Sequence, residues 1–172
     1  MNGGWQHATT ETSDWAPWLE THASAFLLFA RQQSRCEADA QDLVQEAVVE
    51  SWQRQANGAP PPVGLVFATI RRRAIDLGRR TDRRADREAA ATRETPRAWF
   101  DSSPDERERQ QLIQEAMRQL PAIYRDVLTL KVWGDLTFAE IADALEIPAN
   151  TAASRYRYGL AELRQLTREK LA

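Results

Sequence analysis

Apolar residues recur at helical spacing along most of this 172-residue chain, and nowhere do they alternate with polar ones long enough to make a half-buried strand. That pattern restricts the fold to an all-α one. Trp15, Trp18, Leu19, His22, Ala25, Phe26 and Phe29 form a first stripe. Its helix is expected to start near Ser13 or Asp14, whose side chains accept a bond from an orphan backbone N–H. A second helix, from about Ala38 to Gln55, turns Leu43, Ala47, Val48 and Trp52 inward. The run NGAPPP, Asn57 to Pro62, must end it, since proline donates no hydrogen bond and pushes the preceding residue out of the helical region. A third helix resumes near Val63 with Val66, Phe67, Ile70, Ala74 and Leu77 on its inner side.

Residues 88–104 lose this periodicity, contain Pro96 and Pro104, and read as a flexible linker. Trp99 and Phe100 interrupt it and are suited to docking on a neighbouring domain. Further helices are expected over roughly Asp105 to Leu120, Ala122 to Trp133, Thr137 to Leu145 and Ala149 to Arg168. The expected organisation is a flexible N-terminus (1–12), a helical domain (13–87), the linker, and a second small helical domain (105–172) carrying a helix-turn-helix.

Composition removes several classes of function. With Cys36 as the single cysteine, no intramolecular disulfide forms, a cysteine-based zinc site is disfavoured and a reducing cytoplasm is the expected compartment. The start of the chain lacks the basic and apolar parts of a signal peptide, and no apolar run suits membrane insertion. His7 and His22 have no nucleophile or metal-ligand pattern around them, and no glycine-rich phosphate loop is present. The expectation is therefore a non-enzyme with no cofactor and no metal. The net charge of −2 conceals a strong segregation. Met1 to Pro62 holds three arginines against eight acids, whereas Arg71 to Arg97 holds ten arginines against five. One acidic docking surface and one phosphate-facing surface would produce that pattern.

The sharpest local signal is LTFAEIADALEIPANTAASRYRYGLAELR, Leu136 to Arg164. Thr137 and Glu140 have capping-box spacing. Ile141, Ala142 and Leu145 give a short helix one buried face, and Pro148 forbids continuing it. In the helix that follows, Ala152, Tyr156, Leu160 and Leu163 share one side. Asn150, Thr151, Ser154, Arg155, Arg157 and Tyr158 lie near its start or on other faces. Small polar groups with arginines at a helix start suit phosphates and guanine edges in a major groove, while Tyr158 is equally compatible with packing.

Three stretches together resemble the sigma-70 family, in the group named for extracytoplasmic function that keeps only regions 2 and 4. DAQDLVQEAVVESW, Asp39 to Trp52, is similar to the family's core-polymerase-binding helix. LVFATIRRRAIDLGRR, Leu65 to Arg80, resembles its promoter-melting and −10-reading helix, and Leu120 to Arg155 resembles its −35-reading domain. The resemblance implies that Asp39, Asp42, Leu43, Gln45 and Glu46 serve polymerase binding. It implies that Asn57, Arg71, Arg72, Arg73, Arg79 and Arg80 serve −10 DNA, and that Asn150, Thr151, Ser154, Arg155, Arg157 and Tyr158 serve −35 DNA. The implied partners are core RNA polymerase and promoter DNA, with an anti-sigma factor as a further candidate. The sequence departs from the family at Leu65, Arg72, Ala153, Tyr158 and Leu160, which implies an uncommon promoter sequence. Two other readings use the same residues: a free-standing helix-turn-helix regulator, and a decoy that occupies polymerase or an anti-sigma factor.

Overall fold

A computed structural model describes residues 15–55, 59–85, 99 and 107–171, with backbone alone for 81–85, 107–108 and 170–171. Among these residues there are seven helices and no strand. They are α1 (Trp15–Gln33), α2 (Glu37–Gln53), α3 (Val63–Ala85), α4 (Arg107–Gln119), α5 (Ala122–Val132), α6 (Phe138–Leu145) and α7 (Ala149–Leu171). The expected caps Ser13 and Asp14, the site residue Asn57, and Phe100 lie outside the described residues.

Proline sets three helix starts. The carbonyl of Pro62 accepts from the N–H groups of Leu65 and Val66 at 3.0 and 3.3 Å, opening α3. Pro121 does the same for α5 with Tyr124 and Arg125, and Pro148 for α7 with Thr151 and Ala152. A proline there has no N–H to leave unpaired, and its extended backbone turns the chain into the helix. The capping box at α6 is complete: Thr137 Oγ1 accepts from the Glu140 N–H at 3.3 Å, and Glu140 Oε2 accepts from the Thr137 N–H at 2.8 Å. At its other end Glu146 takes a left-handed conformation (φ 55°), and the Ile147 N–H returns to the Ala142 carbonyl at 3.0 Å. Less usual is the start of α2, where the thiol sulfur of Cys36 accepts from the Asp39 N–H at 3.4 Å.

One apolar cluster runs through both halves of the chain. It joins Phe26 and Phe29 of α1, Leu43 and Ala47 of α2 and Val66, Phe67 and Ile70 of α3 to Val127 and Leu130 of α5, Leu136, Ile141 and Leu145 around α6, and Ala152 of α7. Phe67 sits at its centre, with its ring 4.9 Å from Phe26 and 5.5 Å from Phe29, both edge to face. On its far side lies Gly134, where an added Cβ would fall 2.9 Å from the Phe67 ring and 2.7 Å from the Leu130 carbonyl. The turn from α5 into α6 thus approaches α3 as closely as a glycine permits.

Trp52 departs from its expected core position. It is 44 % exposed, and its ring meets Trp15 edge-on at 6.3 Å. The buried line on α2 is Ala40, Leu43, Ala47 and Ser51, and a residue one step beyond Ser51 is rotated about 100° off that line. Leu19, also expected to face inward, is 38 % exposed.

Gly134→Ala is expected to destabilise the protein by about 1–3 kcal/mol through overpacking. Gly78→Ala, in the interior of α3 where a Cβ meets nothing within 4 Å, is expected to stabilise it by about 0.5–1 kcal/mol. Paired denaturant titrations of the two variants would show both signs.

Candidate functional site

Helices α2 and α3 lie antiparallel, registered by Ser51 Oγ donating to Thr69 Oγ1 at 3.3 Å inside the core. On the outer side of α2, Asp42, Gln45 and Glu46 are exposed and Asp39 is half-buried in the first turn, where a carboxylate is favoured by the helix dipole. Leu43, expected with them, is 5 % exposed and faces the core, so it anchors the helix from behind. Val49, 51 % exposed, continues the outward face one turn past Gln45 and was not singled out in the sequence.

The acidic and basic faces meet each other. Glu50 receives Arg54 at 2.6 Å, Arg73 Nε at 2.8 Å and the Arg72 guanidinium, while a second nitrogen of Arg73 pairs with Glu46. Glu46 and Arg73, expected to serve polymerase and DNA respectively, therefore form one ion pair. Partial desolvation pushes the Glu50 carboxyl upward, but hydrogen bonds and charge from Arg73 and Arg72 outweigh it and hold the group below its usual range. A cleft of about 350 Å³ lies along this junction, lined by Asp39, Asp42 and Glu46 on one wall and Arg72, Arg73 and Arg80 on the other. Farther along α3, Arg79 and Arg80 are exposed, with Arg79 3.9 Å from Asp76. Arg71 is half-buried and faces the second half of the chain.

In the helix-turn-helix, Asn150, Arg157 and Tyr158 are exposed, and Thr151, Ser154 and Arg155 are half-buried. Tyr158 is 55 % exposed and lies beneath the Arg157 guanidinium, 5.0 Å from its ring centre. Tyr156 packs edge-on against Phe138 at 5.6 Å, as a core residue does. Gly159 lets α7 cross α5 closely, since a Cβ there would fall 2.9 Å from that of Tyr124.

Sequence reading missed the residues that tie the two halves. Asp126 of α5 accepts from Gln33 of α1 at 2.7 Å, and the charges of Arg125, Arg71 and Arg155 all reach it. Burial pushes its carboxyl above the usual aspartate range, against the pull of Gln33 and those arginines. Thr129 donates to Gln32 at 2.9 Å, and Arg31 donates to the Trp99 carbonyl at 2.8 Å. These are long-range contacts that helical periodicity does not encode. Glu50 had a local signal, lying four residues after Glu46 and four before Arg54.

Among the described residues, no cluster of histidine, cysteine or carboxylate side chains could hold a metal ion, and no helix is long and apolar enough to cross a membrane. Residues 18–84 match the family model described as Sigma-70 region 2, and residues 110–163 match Sigma-70, region 4. An RNA polymerase sigma-E factor of Streptomyces antibioticus is 31 % identical over 127 residues, covering 74 % of this chain and 69 % of the relative. The ECF RNA polymerase sigma factor RpoE of Cereibacter sphaeroides is 30 % identical over 138 residues, covering 74 % and 72 %. Among solved structures, the sigma factor RpoE in complex with the anti-sigma factor NepR from Bartonella quintana has the same fold, with a TM-score of 0.66 at 18 % identity over 90 % of this chain and 97 % of that one.

Glu50 gives this site a pH signature. Its folded value is lowered, so the stability it contributes is in place above the ordinary glutamate range near 4.5 and is lost as pH falls through the folded value. Glu50→Gln is expected to cost about 1 kcal/mol at neutral pH and to flatten that acid limb. Thermal melts from about pH 6 to about pH 3 would record the difference.

Proposed function

This chain belongs to the extracytoplasmic-function group of the sigma-70 family, and we propose that its two helical halves divide a promoter-directing factor's work between them. The observation that carries this reading is the order of parts. An outward acidic helix face, a basic helix against it and a helix-turn-helix follow one another along the two matched regions. In this reading residues 13–87 and 105–172 are the two working domains, and 88–104 is the linker between them. The factor works in the cytoplasm beside core RNA polymerase and catalyses no reaction itself.

Asp39, Asp42, Gln45 and Glu46 would meet a basic surface of core polymerase, with Leu43 holding their helix from behind. Charge complementarity there would govern encounter and register more than net affinity. Arg71, Arg72, Arg73, Arg79 and Arg80, with Asn57 in the preceding loop, would follow the −10 strand, neutralising phosphates and making binding steeply salt-dependent. Arg72 and Arg73 would exchange Glu50 and Glu46 for phosphate, and until then the carboxylates hold both guanidinium groups against α2. Asn150, Thr151, Ser154, Arg155, Arg157 and Tyr158 would read −35, with Arg157 and Tyr158 the most accessible. The Bartonella quintana protein is bound to an anti-sigma factor, and a protein of that kind is a reasonable partner here as well.

Asp42→Lys and Gln45→Lys are the clean probes of docking, because Glu46→Lys would also break the pair with Arg73. Each is expected to weaken binding to core polymerase about tenfold or more, since like charge juxtaposed across an interface costs several kcal/mol. A pull-down with both variants folded and binding unchanged would remove the docking assignment. Arg157→Ala is expected to cost about 1–3 kcal/mol of promoter affinity in the polymerase complex when −35 is intact, and little when −35 is scrambled. Equal losses on both templates would place Arg157 off the bases.

A further inference from the structure

Near the start of α7 two arginines are placed differently. Arg155 is half-buried, and its charge reaches the buried carboxylate of Asp126. Arg157 is exposed, and among the described residues no acid pairs with it. Its partner is the next residue along the chain. The Tyr158 ring centre lies 5.0 Å from the Arg157 guanidinium carbon, and the Tyr158 hydroxyl accepts from Arg157 Nη2 at 3.2 Å. Ring face and hydroxyl together restrain a side chain that is otherwise among the most flexible.

The pair also stands on the side of α7 that is free to meet another molecule. Ala152 and Gly159, two turns apart, are buried and mark the side turned into the protein. Asn150, Ser154 and Arg157 follow one another at i, i+4 and i+7 along the opposite side, and Tyr158 flanks them. Guanine presents two acceptors, O6 and N7, on its major-groove edge. A guanidinium meets both with parallel N–H groups only when its plane is already turned toward them. The Tyr158 ring occupies the face of the Arg157 guanidinium and leaves its edge open. The hydroxyl takes one N–H donor, and enough remain for a bidentate pair.

We propose that Tyr158 is a positioning residue, whose ring presents the Arg157 guanidinium edge-on to a guanine of the −35 element. The proposal rests on the assignment of α7 to −35 DNA given above. Tyr158 acts through Arg157 and not on a base of its own, so loss of either residue removes the same preference. Holding the arginine before DNA arrives spares the entropy of ordering it at the moment of binding. The ring supplies most of this restraint, because a hydrogen bond between exposed groups competes with water.

The test uses promoter duplexes randomised across both elements, selected by the full chain in complex with core polymerase and then sequenced. Arg157→Ala is expected to lose one guanine preference within −35, by about tenfold or more. Tyr158→Ala is expected to lose most of the preference at that same base pair and none elsewhere. The double variant is expected to match Arg157→Ala there, as it must when two residues act as one unit. Tyr158→Phe keeps the ring and is expected to hold the preference within about twofold. Tyr158 is 55 % exposed, so its variants are expected to fold like the unaltered chain, which circular dichroism checks. An unchanged guanine preference in Tyr158→Ala, or a loss at a different base pair, overturns the positioning role. So does a loss in Tyr158→Phe equal to that in Tyr158→Ala. If Arg157→Ala loses no preference within −35, the −35 assignment of Arg157 is overturned instead.

Discussion

Phe67 is the contact on which the rest of the structure depends. It leaves α3 between Phe26 and Phe29 of α1 and ends against the backbone of the α5–α6 turn, where Gly134 leaves just enough room for its ring. A larger residue at 134 would lift that turn away, and a smaller one at 67 would leave a void in a fully buried cluster, at a cost of about 3–5 kcal/mol. Through this ring the apolar cores of the two halves become one. The placement of α6 over α3, the seam between α1 and α5 and the burial of Trp99 accompany that union.

Around this core the charges are arranged by pairing rather than by separation. Glu50 holds three arginines, Arg54 just past the end of α2 and Arg72 and Arg73 of α3, and Glu46 shares one of them. These groups are partly exposed, so their pairing adds modestly to stability. Its larger effect is geometric, since guanidinium groups that would otherwise sample many rotamers are held across the junction of α2 and α3. Across the seam the desolvated Asp126 carboxylate accepts from Gln33 of α1, and the charges of Arg71 and Arg155 reach it from two other helices.

Much of this was legible in the sequence wherever the signal is local. Helical period, the proline breaks at Asn57 to Pro62 and at Pro148, and the Thr137–Glu140 capping box each specify their neighbourhood within a few residues. The family resemblance rested on the same kind of contiguous motif and agreed with both matched regions. Trp52 was misplaced by phase: Leu43 and Ala47 fit either of two stripes, and Ser51 rather than Trp52 completes the one that faces α3. Contacts such as Gln33–Asp126 and Arg31–Trp99 were out of reach because they join residues 93 and 68 positions apart. Polar side chains at the end of a helix look like solvent-facing ones until the partner helix is in view.

The most direct test of the account is a distance. With Cys36 replaced by serine, spin labels at Ser24 on α1 and Ala161 on α7, both exposed and outside the proposed contacts, would report how the halves stand to each other. A single narrow, short distribution in the free factor is the predicted result. A broad distribution would contradict a single body centred on Phe67.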